Sequence, residues 1–105
     1  MRNLLVVCNP GRVDAVVAAV ELQQNLASTF AIYTISDVNI PGMIKSTLAD
    51  LPPIEVAVVL GGDGTMLRAA EVTQAHDIPL LGVNLGHVGF LSEVERSKIA
   101  DVIHA

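Results

Sequence analysis

Residues 60–67 read LGGDGTML, with three glycines and a carboxylate between an apolar run and a segment of helical patterning. A glycine-rich turn that opens a helix commonly receives an anion. Its bare backbone N–H groups and the positive end of the helix dipole both point at the ligand. Asp63 puts a negative charge in the middle of that turn. Two chemistries would explain it. The carboxylate could hold Mg²⁺, directly or through water, and so make the turn tolerate a polyphosphate. It could also accept the proton of an attacking hydroxyl, as phosphoryl transfer requires. Both place a nucleoside triphosphate beside Asp63. The plain alternative is a turn residue with no chemistry.

The common phosphate loops do not fit. The P-loop pattern needs a Gly-Lys pair, and the chain has none. Gly62 and Gly64 supply the first half of the dinucleotide pattern G-x-G-x-x-G, but position 67 is Leu. Glycines alone could serve only a tight strand-to-helix turn. An acid among them, with Thr65 as a candidate helix N-cap, favours a ligand site. Arg68 lies one helical turn beyond Thr65, where it could meet phosphates or merely face solvent. His87 has no partner at metal-ligand spacing and receives no catalytic role.

The elements that must position these residues alternate. Residues 3–9, NLLVVCN, form an apolar run that ends in Asn-Pro-Gly and read as a strand buried on both faces. Residues 14–26 fit a helix with Val16, Val17, Val20 and Leu26 on its apolar side and Asp14 in its first turn. Residues 29–35 are β-branched and aromatic and read as a second strand. Residues 36–42 are turn-rich, and residues 43–51 are expected to form a short helix stopped by Pro52 and Pro53. Residues 56–60, VAVVL, are the strand before the glycine turn. A helix is expected over 65–75, with Met66, Leu67, Ala70 and Val72 on its apolar side. Residues 79–83 read as a strand, residues 84–90 as a second glycine-rich loop, and the segment from Arg96 as helical. Strands alternating with helices imply a three-layer α/β sandwich with a mainly parallel sheet. In such sheets ligands bind beyond the carboxyl ends of the strands. The loops NPGR, GGDG and NLGHVGF would all project from that edge.

Bulk properties narrow the function classes. A length of 105 residues suits one small domain. Charged residues are 16% and mean hydropathy is +0.55, apolar for a water-exposed domain, where about a quarter of residues are usually charged. Yet no apolar run approaches the ~20 residues of a membrane span, and no cleavage site follows the opening MRNLLVVCNPG. The excess apolarity therefore suggests surface that a further domain or subunit covers. The sequence also stops inside an amphipathic segment, RSKIADVIHA. Residues 1–105 are thus expected to be the N-terminal part of a longer protein, with a small domain of an obligate oligomer as the alternative. The formal charge of −5, with six scattered basic residues, argues against a nucleic-acid binder. Cys8 is the only cysteine, which fits packing in a strand and a reducing cytosol.

The GGDGT turn resembles the signature of a superfamily that joins NAD kinases, diacylglycerol and sphingosine kinases and 6-phosphofructokinases. The flanks VVLGGDGTMLRAA and IPLLGVNLGHVGFLSEV are similar to the NAD kinase family in particular. Lipid kinases carry Asn-Glu soon after the motif, where this chain has Met66-Leu67-Arg68. A lipid or sugar kinase sharing the turn is the competing reading. The resemblance implies the N-terminal domain of the NAD kinase/phosphofructokinase-like fold. It implies transfer of a phosphoryl group from ATP or polyphosphate to the adenosine ribose 2′-hydroxyl of NAD, with Mg²⁺ or another divalent cation. It makes Asp63 the proton acceptor near the NAD ribose. Gly64 shares the NAD contact, and Gly61, Gly62 and Thr65 line the donor side. It places Arg68 on the dinucleotide and Phe90 against one of its bases, although core packing would also account for Phe90. Asn84 and residues 86–89 would shape that second loop. The resemblance also implies a cytoplasmic protein that is a homo-oligomer, a dimer or tetramer, at full length. The family's β-rich second domain, which holds NAD, has no counterpart in these 105 residues. This chain alone is therefore expected to be inactive.

Overall fold

A computed structural model describes residues 2–85 and Asp101. It shows a five-stranded sheet in the order β3-β2-β1-β4-β5, with every pairing parallel. The chain runs β1 (Arg2–Cys8), α1 (Val13–Leu26), β2 (Phe30–Thr34), β3 (Ile44–Lys45), a 3₁₀ turn (Leu48–Asp50), β4 (Val56–Gly61), α2 (Asp63–Ala75) and β5 (Leu80–Asn84). The expected α/β architecture is therefore present.

Side-chain alternation explains why the central strands read as unbroken apolar runs. Leu4, Val6 and Cys8 of β1, with Val58 and Leu60 of β4, share one core with Ala15, Ala18, Ala19 and Leu22 of α1. Leu5, Ala57 and Val59 point to the other face and are as fully buried. That face carries α2, where Met66 closes over Gly82 of β5. A parallel sheet covered on both sides needs apolar residues at every position of its central strands. Such burial contributes roughly 1.5–3 kcal/mol for each large side chain.

Three expectations need correction. Residues 43–51 are not a helix: Ile44 and Lys45 pair with Tyr33 and Thr34 as a short edge strand, and only the 3₁₀ turn Leu48–Asp50 follows. The β-branched Ile44 and the open edge of β2 outweigh a weak helical pattern. The buried side of α1 is built from Ala15, Ala18, Ala19, Leu22 and Leu26, while Val17 is exposed. Small alanines let the helix lie close to the sheet, and the valines flank that contact. In α2, Ala69 and Thr73 are buried, whereas Leu67 is 69% exposed and Ala70 is also exposed.

Candidate functional site at the switch point of the sheet

Strand order decides where a ligand can enter. From β1 the chain crosses through α1 to β2 on one side, and from β4 through α2 to β5 on the other. The two helices lie on opposite faces, so the loops after β1 and β4 diverge and leave a crevice between adjacent strand ends. This is the topological switch point at which open α/β sheets bind ligands. A crevice of about 570 Å³ occupies it.

Each wall is fixed locally. After β1, the Asn9 carbonyl accepts the Arg12 N–H at 3.1 Å and its side-chain Oδ1 accepts the Gly11 N–H at 2.9 Å. This doubly bonded turn delivers Arg12 to the crevice. Asp14 accepts from Arg12 Nε at 2.7 Å and from the Ala15 N–H at 2.8 Å. The guanidinium hydrogen bond is the main cause holding the Asp14 carboxyl below its ordinary range. Whatever stability the pair adds is present above the unfolded carboxyl pKa of about 4, and is lost as pH falls through the depressed value. After β2, Ser36 Oγ accepts the Cys8 N–H at 3.1 Å, tying the tip of β2 to the tip of β1. Asp37 follows on the same wall. Burial pushes the thiol of Cys8, at the floor, above its usual range.

The glycine turn forms the opposite wall. The helix starts two residues earlier than the sequence suggests. Gly62 is the N-cap, its carbonyl accepts the Met66 N–H at 3.0 Å, and Asp63 and Gly64 already belong to the first turn. Thr65 is therefore not the cap: its side chain lies beneath Gly61, where an added Cβ would come within 3.0 Å of it. Asp63 at the start of the helix sits favourably in the dipole field.

The crevice gathers Gly62, Gly64, Thr65 and Arg68 of the expected site. Gly61 is buried beneath the turn. Asp63 is exposed, and neither it nor Gly61 lines the crevice. Phe90 and residues 86–89 lie outside the described residues, as does the side chain of Asn84. The sequence reading gave no site role to the polar lining residues Arg12, Ser36 and Asp37, although it placed the loop NPGR, which carries Arg12, at this edge of the sheet. It treated the basic residues as scattered, yet Arg12 and Arg68 meet in one cavity. Arg12 Nη1 stands 3.0 Å from where a Gly62 Cβ would be. A signal for Asp37 did exist, because an acid just past the second strand of a βαβ unit is a recurrent ribose ligand. Among the described residues, no three His, Cys, Asp or Glu side chains converge on a metal position. No helix among them is long and apolar enough to cross a membrane.

With this geometry in place, comparison with known proteins is decisive. The family model for the ATP-NAD kinase N-terminal domain matches residues 49–105, more than half of the chain. The chain belongs to the NAD kinase family. An NAD kinase of Leifsonia xyli is 38% identical over 97% of this chain and 37% of its own length. One from Cutibacterium acnes is 40% identical over 98% of this chain and 35% of its own length. One from Thermobifida fusca reaches 48% over 57% of this chain. The chain thus spans about a third of the length of the curated NAD kinases it matches along its whole extent. The matched region contains the whole glycine turn and α2, so family membership rests on the same residues that shape one wall of the crevice.

Proposed function

We propose that this chain is the donor-binding N-terminal part of an NAD kinase. The full protein would move the terminal phosphoryl group of ATP or polyphosphate to the adenosine ribose 2′-hydroxyl of NAD. The carrying observation is the switch-point crevice, where the glycine turn and two guanidiniums face one cavity. Arg12 and Arg68 supply charge for the phosphates, and Gly62 and Gly64 let them approach the backbone at the start of α2. Asp63 sits in that same turn but outside the crevice, which suits a group that meets the acceptor rather than the donor. As the 2′-oxygen forms its bond to the terminal phosphorus and the bond to the bridging oxygen breaks, the hydroxyl proton passes to the Asp63 carboxylate. With no group of three metal-ligating side chains among the described residues, a Mg²⁺ ion would be held mainly by the phosphates, with Asp63 reaching it through water. Such an ion would neutralise charge on the phosphates.

The acceptor site, the homo-oligomeric assembly and the cytoplasmic location are carried by the family resemblance alone. On that reading the 105 residues bind donor without turning it over, and NADP formation by the isolated chain would refute this part. In the full-length protein, Asp63→Asn should lower NADP formation by ~10²-fold or more, the usual size of a general-base effect, and leave ATP affinity intact. Unchanged turnover would reduce Asp63 to a turn residue. Phosphorylation of diacylglycerol or fructose 6-phosphate in place of NAD would favour the related kinases that share the turn.

A further inference from the structure

We propose that the Asp37 carboxylate receives the ribose hydroxyls of a nucleoside triphosphate in the crevice, making the donor a nucleotide rather than bare polyphosphate. This rests on the reading of the crevice as the donor site. The charges there are segregated. Arg12 and Arg68 line it together with the glycine turn, while Asp37 stands at the tip of β2. In the sheet β1 separates β2 from β4, so those two tips are about two strand spacings, or ~10 Å, apart. A ligand that bridges them must present anionic oxygens at one end and hydrogen-bond donors at the other. An uninterrupted polyphosphate presents only acceptors and would meet a carboxylate with like charge. A nucleoside triphosphate has both ends, because its ribose carries vicinal hydroxyls.

Asp37 is built for that task. The Val38 N–H bonds to the Ser36 carbonyl at 2.9 Å, making Asp37 the centre of a three-residue turn. Ser36 anchors that turn to β1 through the Cys8 N–H. Lys45 Nζ donates to Asp37 Oδ1 at 2.8 Å. That bond, ahead of the ammonium charge itself, depresses the Asp37 carboxyl, so it is ionised at neutral pH and can only accept. Oδ2 keeps its lone pairs for hydroxyls. Lys45 also offsets the carboxylate's repulsion of the phosphates. Sites that hydrogen-bond a hydroxyl discriminate strongly against ligands lacking it.

The test is calorimetric titration of the full-length protein, without NAD, with ATP, 2′,3′-dideoxy-ATP and inorganic tripolyphosphate. The wild type should bind ATP about 10-fold or more tighter than either of the others, the size of hydrogen bonds to a charged group. Asp37→Asn should remove most of that advantage: dideoxy-ATP should stay within 2-fold of its wild-type affinity, and tripolyphosphate should bind as tightly as to the wild type or more tightly, because the like charge is gone. Lys45→Met, which keeps the carboxylate, should retain a hydroxyl-dependent preference. Asp37 is largely exposed, so its substitution should leave the fold intact. Equal wild-type affinity for ATP and its dideoxy form, or an Asp37→Asn variant that weakens all three ligands alike or none, would overturn the inference. Failure of all three to bind the wild type would instead overturn the donor-site reading and this inference with it.

Discussion

The three glycines of the GGDG turn are glycine for different reasons, and those reasons predict different phenotypes. Gly61 is buried, and a Cβ there would lie 3.0 Å from the Thr65 side chain. Gly61→Ala should therefore cost about 1–3 kcal/mol of stability, read by chemical denaturation. At Gly62 the neighbour is the Arg12 guanidinium, so a methyl group would displace a ligand-facing charge rather than crowd the core. At Gly64 nothing among the described residues lies within 4 Å. No described residue calls for glycine there, in a helix where alanine is favoured by roughly 0.5–1 kcal/mol. Gly64→Ala should leave the unfolding midpoint unchanged or raised, yet lower NADP formation by the full-length protein at least 10-fold, because the open space serves a ligand. Wild-type turnover in that variant would remove the ligand argument for the turn. Cys8 gives a simpler expectation. It is buried with a raised thiol pKa, so at pH 7.5 it should react with iodoacetamide at least 10-fold more slowly than in the urea-unfolded chain.

At the scale of elements, legibility tracked how strongly a segment is buried. The strands β1 and β4 were readable to within one residue because two-sided burial leaves an uninterrupted apolar run, whereas β2, buried at alternate residues, was readable from its β-branched and aromatic side chains and the partly exposed β5 from its short apolar run. The misread residues 43–51 form an exposed edge, where neither face imposes a period. The start of α2 was misplaced because glycine caps a helix without any side-chain signal, and Thr65 two residues on from Asp63 looked like a better cap. Of the candidate site, the glycine turn was legible as a local motif. Asp37 was not, and Arg12 was legible only as part of the loop NPGR at the same sheet edge, since the strand order is what brings both to the turn. Two turns show the backbone demands behind these elements. Gly42 has φ 85° in the turn that leads to β3, and a Cβ would sit 2.7 Å from Gln23 Nε2. Asp77 has φ 58° just past α2, where the Ile78 N–H bonds to the Thr73 carbonyl at 2.9 Å in a Schellman-type ending. A left-handed residue with a Cβ costs roughly 1–2 kcal/mol, less for aspartate. Gly42→Ala should destabilise by at least ~1 kcal/mol and Asp77→Gly should stabilise by up to ~1 kcal/mol, both measured as shifts in denaturation midpoint.

At the scale of the whole molecule, a chain of net charge −5 is an improbable partner for a polyanion until screening is considered. The Debye length is about 8 Å at physiological ionic strength, so acids elsewhere on the surface are screened from the crevice. Beside it Asp14 and Asp37 are paired with Arg12 and Lys45, and Arg68 adds a further positive charge. The crevice is also shared by all three layers: Arg12 caps α1, Gly64 and Arg68 belong to α2, and Ser36 and Asp37 extend β2. A nucleotide bound there touches every layer, so losing any one of them releases it, and its binding energy adds to global rather than local stability. At a concentration 100 times Kd that addition is about 2.7 kcal/mol. For a domain of this size each kcal/mol moves the melting temperature by roughly 4–8 °C. The isolated 105-residue chain should therefore melt on the order of 10 °C higher with ATP and Mg²⁺ at that excess. The Arg12→Ala/Arg68→Ala double variant should lose most of the shift, because without both guanidiniums the phosphates face an acidic surface. On the proposal that a second domain holds the acceptor, NAD should raise the melting temperature of the isolated chain far less. A wild-type chain whose melting temperature ignores ATP would place the donor site elsewhere in the protein.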